Sequence, residues 1–207
     1  MTTRIGLVAD THCPEFIDHL PPELFERLEG VDMILHAGDV GGLETLAELG
    51  RLAPVYAVRG DHDLALGELP VQRTIDVDGR TIGLVHGNRN RAIEEPLTFI
   101  STVSLGLYWP TPGIDAWLHR RFAGADVIVH GHTHEPSIRR RGGTLIVNPG
   151  AVYQVSPRMA RRRLAARPSW FEWSWLQVMR HRRRHPAPSV GLLELSRDGV
   201  MAAIVRL

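Results

Sequence analysis

The chain has no lysine, a single cysteine and no apolar run that approaches a membrane span. All 24 basic residues are arginine, an imbalance of composition to which no function is assigned. One cysteine, Cys13, excludes an intrachain disulfide framework. A span needs about 20 consecutive apolar residues, and nothing here comes near that. The start, MTTRIGLVAD, enters a strand-like run without the pattern of a signal peptide. A cytoplasmic location is therefore expected, with no transmembrane segment. Internal repeats are also absent. What remains is 207 residues, 43% hydrophobic and 23% charged, enough for one compact domain with a sizeable core and some inserted segments.

The net charge of +1 hides an asymmetry. Residues 156–186 hold nine arginines and one acid, Glu172, while the remainder holds 15 arginines and 22 acids. An acidic body thus carries one strongly basic segment.

Along the chain, Arg4–Ala9 reads as a buried strand. Pro21-Pro22 opens a helix running to about Glu29, and Gly30 closes it. Asp32–Leu35, a helix over Leu43–Leu49, and Val55–Val58 continue a strand–helix alternation that implies parallel strands. Thr74–Val77 and Thr81–Val85 then flank Asp78-Gly79, a hairpin signal. Asn88–Gly113 reads as irregular, with Pro110 and Pro112. A helix over Ile114–Phe122 and a strand over Asp126–Val129 follow. Hairpins are expected around Gly142-Gly143 and across Asp198-Gly199. Ser169 and Glu172 fit a capping box, which predicts a helix from Trp170 to about Arg183 that ends before Pro186. Its first ten residues hold four aromatics, and its end is arginine-rich.

The chemistry lies just beyond the strands. Asp10 and His12 follow the first, Asp39 the second, Asp61 and His62 the third, His86 the fifth, and His132 and His134 the sixth. Ligand sites in open α/β sheets lie outside the carboxyl ends of strands, so these residues are expected to converge. Carboxylate and imidazole donors together suit Mn²⁺, Fe²⁺ or Zn²⁺ rather than Ca²⁺. Seven candidate ligands exceed the needs of one ion and fit two ions that share a carboxylate. Gly38, Gly60, Gly87 and Gly131 adjoin these residues, where a bare backbone permits sharp turns and close approach.

Asp10-Thr-His12, Gly38-Asp39, Gly60-Asp-His-Asp63, His86-Gly87 and Gly131-His-Thr-His134 resemble, in order, the five motifs of the calcineurin-like metallophosphoesterases. Asn148-Pro-Gly150 and the closing hairpin resemble the small bacterial and archaeal phosphodiesterase branch. The resemblance implies a four-layer α/β/β/α sandwich of two mixed sheets. It implies a single domain over 1–207, with inserts at about 88–113 and 156–188 lying outside the resemblance. It also implies two divalent metal ions, with manganese expected and iron, zinc or nickel as alternatives. Asp10, His12, Asp39 and His134 would hold one ion. Asp39, Asp61, His86 and His132 would hold the other, Asp39 bridging. The implied reaction is hydrolysis of phosphoesters, diesters in particular, by a hydroxide activated between the metals. His62 would donate the proton to the leaving oxygen and Asp63 would orient it. Asp61 departs from the family, which usually has Asn there, and places an extra negative charge near the substrate.

Blander readings attach to the neighbours. His36 and His130 suit hydrogen-bonded structural roles, Cys13 a small filler, and Asn148 a turn. Arg59, Asn88, Arg89 and Arg91 adjoin the motifs; the first three are the candidate substrate contacts, although each taken singly is more at home as an ordinary surface group. The basic segment leaves three readings open: a helix packed on the body or in a homodimer interface, a cap over the substrate, or attachment to nucleic acid or an anionic membrane. A phosphomonoesterase acting on nucleotides or proteins, and a non-catalytic metal-binding scaffold on the same fold, are the alternative functions.

Overall fold

Strands that alternate apolar residues on both faces need cover on both sides, and this sequence supplies it. The computed structural model describes residues 2–104, 113–168, 170–181, 185–197 and 199–207. Two compact units emerge: residues 1–87, 113–153 and 187–207 form the first, and 88–112 with 154–186 form the second.

The first unit holds two five-stranded mixed sheets. One runs in the order β10 (Gly199–Arg206), β9 (Ser189–Ser196), β1 (Thr3–Val8), β2 (Met33–His36), β3 (Val55–Ala57). Within it β1, β2 and β3 are parallel, with Leu7 opposite Leu35 and Leu35 opposite Tyr56, while β9 runs antiparallel to β1. The other runs β4 (Gln72–Val77), β5 (Arg80–Val85), β6 (Val127–Val129), β8 (Thr144–Asn148), β7 (Ser137–Arg141). Here β5, β6 and β8 are parallel and the edge strands antiparallel.

Side-chain alternation assigns the layers. Ile5, Leu7, Leu35, Ile82, Leu84, Val127, Val129, Leu145 and Val147 fill the space between the sheets. The intervening Ile34 packs with Leu24 and Leu28 around α1 (Pro22–Arg27) and with Leu49 of α2 (Leu43–Leu49). On the other sheet, Val85, Ile128 and Ile146 meet Ile114, Leu118 and Phe122 of α4 (Ile114–Arg121) and its end. The unit is therefore a four-layer α/β/β/α sandwich. The Asp78-Gly79 turn forms as expected, both residues with positive φ (51° and 75°), the left-handed pair that a two-residue hairpin requires.

The second unit is helical, and here the sequence reading needs correction. The stretch expected to be irregular contains α3 (Arg91–Val103), capped by Asn90, whose side chain accepts from the Ala92 N–H at 2.9 Å. Pro110 and Pro112, on which the irregular reading rested, come after the last residue of α3. A further helix, α5 (Pro157–Ala165), starts at Ser156, whose hydroxyl accepts from the Met159 N–H, with Pro157 in its first turn. The helix expected from Trp170 is α6 (Trp170–His181). The capping residue Ser169, residues 182–184, Asp198, the prolines at 110 and 112, and the side chains of Trp170, Phe171, Glu172 and Trp175 lie outside the described residues. Among the described residues no helix is long and apolar enough to cross a membrane.

Gly83 marks where α4 presses closest: a Cβ there would lie 2.5 Å from the Phe122 ring. Gly83→Ala should therefore cost about 1–3 kcal/mol in a urea melt, and Phe122→Leu in the same chain should recover part of the loss. An additive pair of losses would show that the contact does not limit the packing.

Candidate metal centre

The parallel strands of both sheets end at one place. Asp10 and His12 follow β1, Asp39 follows β2, Asp61 and His62 follow β3, His86 follows β5, and His132 and His134 follow β6. Backbone hydrogen bonds stitch these loops together: Asp10 N–H to Gly38 O (3.0 Å), His12 N–H to Asp39 O (3.0 Å) and Gly131 N–H to His86 O (2.9 Å). Side chains join in, with the His62 N–H donating to Asp39 Oδ1 (3.0 Å) and the His132 N–H to Asp10 Oδ1 (3.2 Å). Gly60 has to be bare, since a Cβ there would overlap the Asp39 carboxylate.

All seven candidate ligands fall into overlapping clusters: Asp10, His12 and His134; Asp10, Asp39 and His86; and Asp61, His86 and His132. His86 Nε2 lies 3.3 Å from Asp39 Oδ2 and 3.0 Å from Asp61 Oδ1. His12 Nε2 is 3.5 Å from Asp39 Oδ2, His132 Nδ1 is 3.3 Å from Asp61 Oδ1, and His134 Nε2 is 3.4 Å from Asp10 Oδ1. Donor atoms about 2.1 Å from a common ion, at tetrahedral or octahedral angles, lie about 3.0–3.4 Å apart. The spacings match ligands gathered around cations.

Hydrogen bonding reinforces that fit. The His86 Nδ1–H donates to the Ala37 carbonyl (2.8 Å), which fixes the tautomer and turns Nε2 toward the carboxylates. Among the described residues, Asp10 Oδ2 and His86 Nε2 are buried without a hydrogen bond of good geometry, although Asp61 Oδ1 stands 3.0 Å from the latter. Buried polar atoms are rarely left so, and a cation would satisfy both. Burial by itself would lower His86, but Asp39, Asp61 and Asp10 outweigh it and hold its proton well above the usual imidazole range. Burial would likewise raise Asp39 and Asp61. His86 acting on Asp39, and His132 with His86 acting on Asp61, instead keep both well below the carboxylate range. Without metal, protons neutralise this cluster; metal binding would displace them.

Backbone strain concentrates at the same place. Of seven non-glycine residues with positive φ among those described, five are candidate ligands: Asp10 (52°), His12 (47°), Asp39 (53°), His132 (66°) and His134 (54°). Such conformations cost free energy and cluster at functional sites. No sequence pattern signals them.

The remaining expected residues divide. His62 is exposed beside Asp39 and Asp61. Burial would lower it, but Asp39, Glu15 and Asp61 raise it above an ordinary imidazole. Asp63 does not meet His62. Its buried carboxylate instead accepts the backbone N–H groups of Val40, Gly41 and Gly60 (2.8–3.1 Å), because a carboxylate directed at the loop interior satisfies otherwise orphaned donors. The carboxylate that reaches His62 is Glu15, which the sequence reading missed: its Oε1 lies 3.1 Å from His62 Nδ1. Arg59, at the end of β3, is half-buried. Asn88 and Arg89 belong to the second unit; Asn88 is exposed, while Arg89 is buried with its Nε donating to Glu94 (2.7 Å).

His36 and His130 are structural. The His36 Nδ1 accepts the Gly38 N–H, so its Nε2–H faces Thr11 Oγ1 (3.0 Å), whose hydroxyl passes to the Val40 carbonyl. Burial lowers both histidines to about 4. Asn148 is fully buried and braces the loop after β6 through Gly131 O (2.9 Å) and Thr133 Oγ1 (3.0 Å). Cys13 is a buried core residue, and burial pushes its thiol up.

Residues 3–165 match the profile of the calcineurin-like phosphoesterase superfamily domain. The chain belongs to that superfamily. A probable metallophosphoesterase of Methanothermobacter thermautotrophicus is 34% identical over 149 residues, covering 71% of this chain and 76% of the relative. A phosphodiesterase of Methanocaldococcus jannaschii is 26% identical, covering 71% and 82%. In fold, the chain is similar to Entamoeba histolytica Vps29 complexed with zinc, with a TM-score of 0.64, 22% identity and 98% of each chain covered. Members of this superfamily depend on metal, and the donor set described above fits that dependence.

Stability should follow the buried histidines. Unfolded chains bind protons at about pH 6.5, whereas His36 and His130 in the fold resist them until about 4. Stability is therefore complete above pH 6.5 and is lost as pH falls toward 4, by roughly 2 kcal/mol per histidine at pH 5. Urea midpoints should decline over that window, and His36→Gln should be weaker at pH 7 yet show a flatter decline. An unchanged slope would place the acid sensitivity elsewhere.

Proposed function

We propose that this chain is a metal-dependent phosphodiesterase. The observation that carries the reading is Asp39, which stands between two ligand clusters and beside an exposed imidazole, His62. Asp10, His12, Asp39 and His134 would hold one divalent ion, and Asp39, Asp61, His86 and His132 the other. When bound, the pair would activate water and neutralise charge on phosphate oxygens. Manganese is the expected ion; iron, zinc and nickel suit the same donors.

The chain's own residues supply the rest. His62 engages Glu15 through Nδ1, which leaves Nε2 to hand a proton to the leaving oxygen. Arg59 is the substrate contact carried forward, as a fork for a phosphate oxygen. Asp61 biases the charge balance. Two divalent ions against Asp10, Asp39 and Asp61 leave one positive charge for nucleophile and substrate, where Asn would leave two. Monoanionic diesters are therefore favoured over dianionic monoesters. The helical unit, with exposed Arg158, Arg161, Arg162, Phe99 and Trp173, is the part assigned to partner choice, whether a second copy or an anionic surface.

A second reading, a non-catalytic metal-binding scaffold, draws on the likeness in fold to Vps29. Assays on bis-p-nitrophenyl phosphate and p-nitrophenyl phosphate with Mn²⁺, Ni²⁺, Mg²⁺ and Zn²⁺ separate the two. The phosphodiesterase should be silent after chelation, recover with added metal and prefer the diester. Silence with every metal on both substrates favours the scaffold. Asp61→Asn should raise the monoester-to-diester ratio roughly fivefold, about 1 kcal/mol of electrostatic coupling. An unchanged ratio removes Asp61 as the source of the preference.

A further inference from the structure

One acidic side chain at the centre lies outside the seven expected ligands, although it groups with His12 and His62 closely enough to share an ion. Glu15 follows the β1 motif, and its two oxygens serve two rings. Oε2 lies 3.1 Å from His12 Nδ1, and Oε1 lies 3.1 Å from His62 Nδ1. The rings stand edge to face, with centroids 4.8 Å apart and planes at 87°. Phe16 packs on both, 5.0 Å from His12 and 5.8 Å from His62. A carboxylate is acceptor-only, so each Nδ1 carries the hydrogen and each Nε2 is turned away. His12 Nε2 faces Asp39 Oδ2, on the side where the ions would sit. With Nδ1 engaged by Glu15, Nε2 is the His62 nitrogen left to carry a transferable proton.

We infer that Glu15 is a positioning residue that ties a metal-side imidazole, His12, to the proton-donating imidazole, His62. The inference rests on the phosphodiesterase reading for its His62 arm only. A histidine that ligates metal characteristically donates its second N–H to a carboxylate, which orients the ring and strengthens the ligand. Here the same carboxylate also orients the acid. Holding the His62 ring through Nδ1 fixes where the Nε2–H points as the P–O bond breaks. The proton passes to the leaving oxygen, and neutral His62 keeps its Nδ1–H on Glu15. Geometry of this kind governs the transition state more than substrate affinity. Asp63, the neighbouring acid, is unable to do this while its oxygens hold the Val40, Gly41 and Gly60 N–H groups.

The two arms have separate readouts. For the His62 arm, Glu15→Ala is compared with wild type on bis-p-nitrophenyl phosphate, whose leaving group needs little protonation, and on diphenyl phosphate, whose leaving group needs more. The expected result is a fall in kcat at least tenfold larger on diphenyl phosphate, with KM little changed. Glu15→Asp should recover part of it, and the extra loss should vanish in a His62→Ala background. Equal losses on both substrates, or a loss that persists without His62, overturn this arm. For the His12 arm, metal retained per chain is measured against a competing chelator. Glu15→Ala should weaken retention about tenfold, and unchanged retention overturns that arm. A wild-type protein that binds metal but hydrolyses neither substrate defeats the phosphodiesterase reading alone, because the retention experiment still decides the His12 arm.

Discussion

Everything at the centre depends on charge gathered where water is scarce. Asp10 and Asp39 are buried, and Asp61 joins them through His86. Two buried carboxylates, with the more exposed Asp61 beside them, would repel one another. The structure tolerates them because four imidazoles surround them and because cations are able to occupy the space between. The sandwich follows from that demand. Two sheets, each with a parallel run, aim five strand ends at one point, and apolar layers on every face hold those ends rigid. Asn148 and Asp63 then hold the loops from within, each through hydrogen bonds to backbone or side-chain groups of the loops it supports.

Much of this was legible in the residues. The alternation of Ile5, Leu7, Ile34 and Leu35 between two apolar surroundings follows from strand periodicity, and so do the positions just past each strand. Asp78-Gly79 announces its turn by chemistry alone. What was not legible has physical causes. Pro110 and Pro112 coloured the reading of all of 88–113, yet α3 ends before them and Asn90 caps its start. The family resemblance made Asp63 the partner of His62, but its carboxylate turns to the Val40, Gly41 and Gly60 N–H groups instead. Glu15 was invisible for another reason: it reaches His62 across 47 positions, and a loop has no periodicity from which such a meeting could be foreseen.

The second unit shows where the motifs stop informing. Its α5 is arginine-rich, and apolar residues such as Phe99, Val103 and Trp173 of the other two helices are exposed. The motif residues all lie in the first unit, apart from these helices.

The left-handed backbone at Asp10, His12, Asp39, His132 and His134 bears on how such a site survives mutation. Glycine would relax each of those positions, and asparagine tolerates the conformation better than histidine does. The five strained positions are also five of the residues that cluster closely enough to share ions, so relief of strain and loss of donor groups would go together in any substitution there.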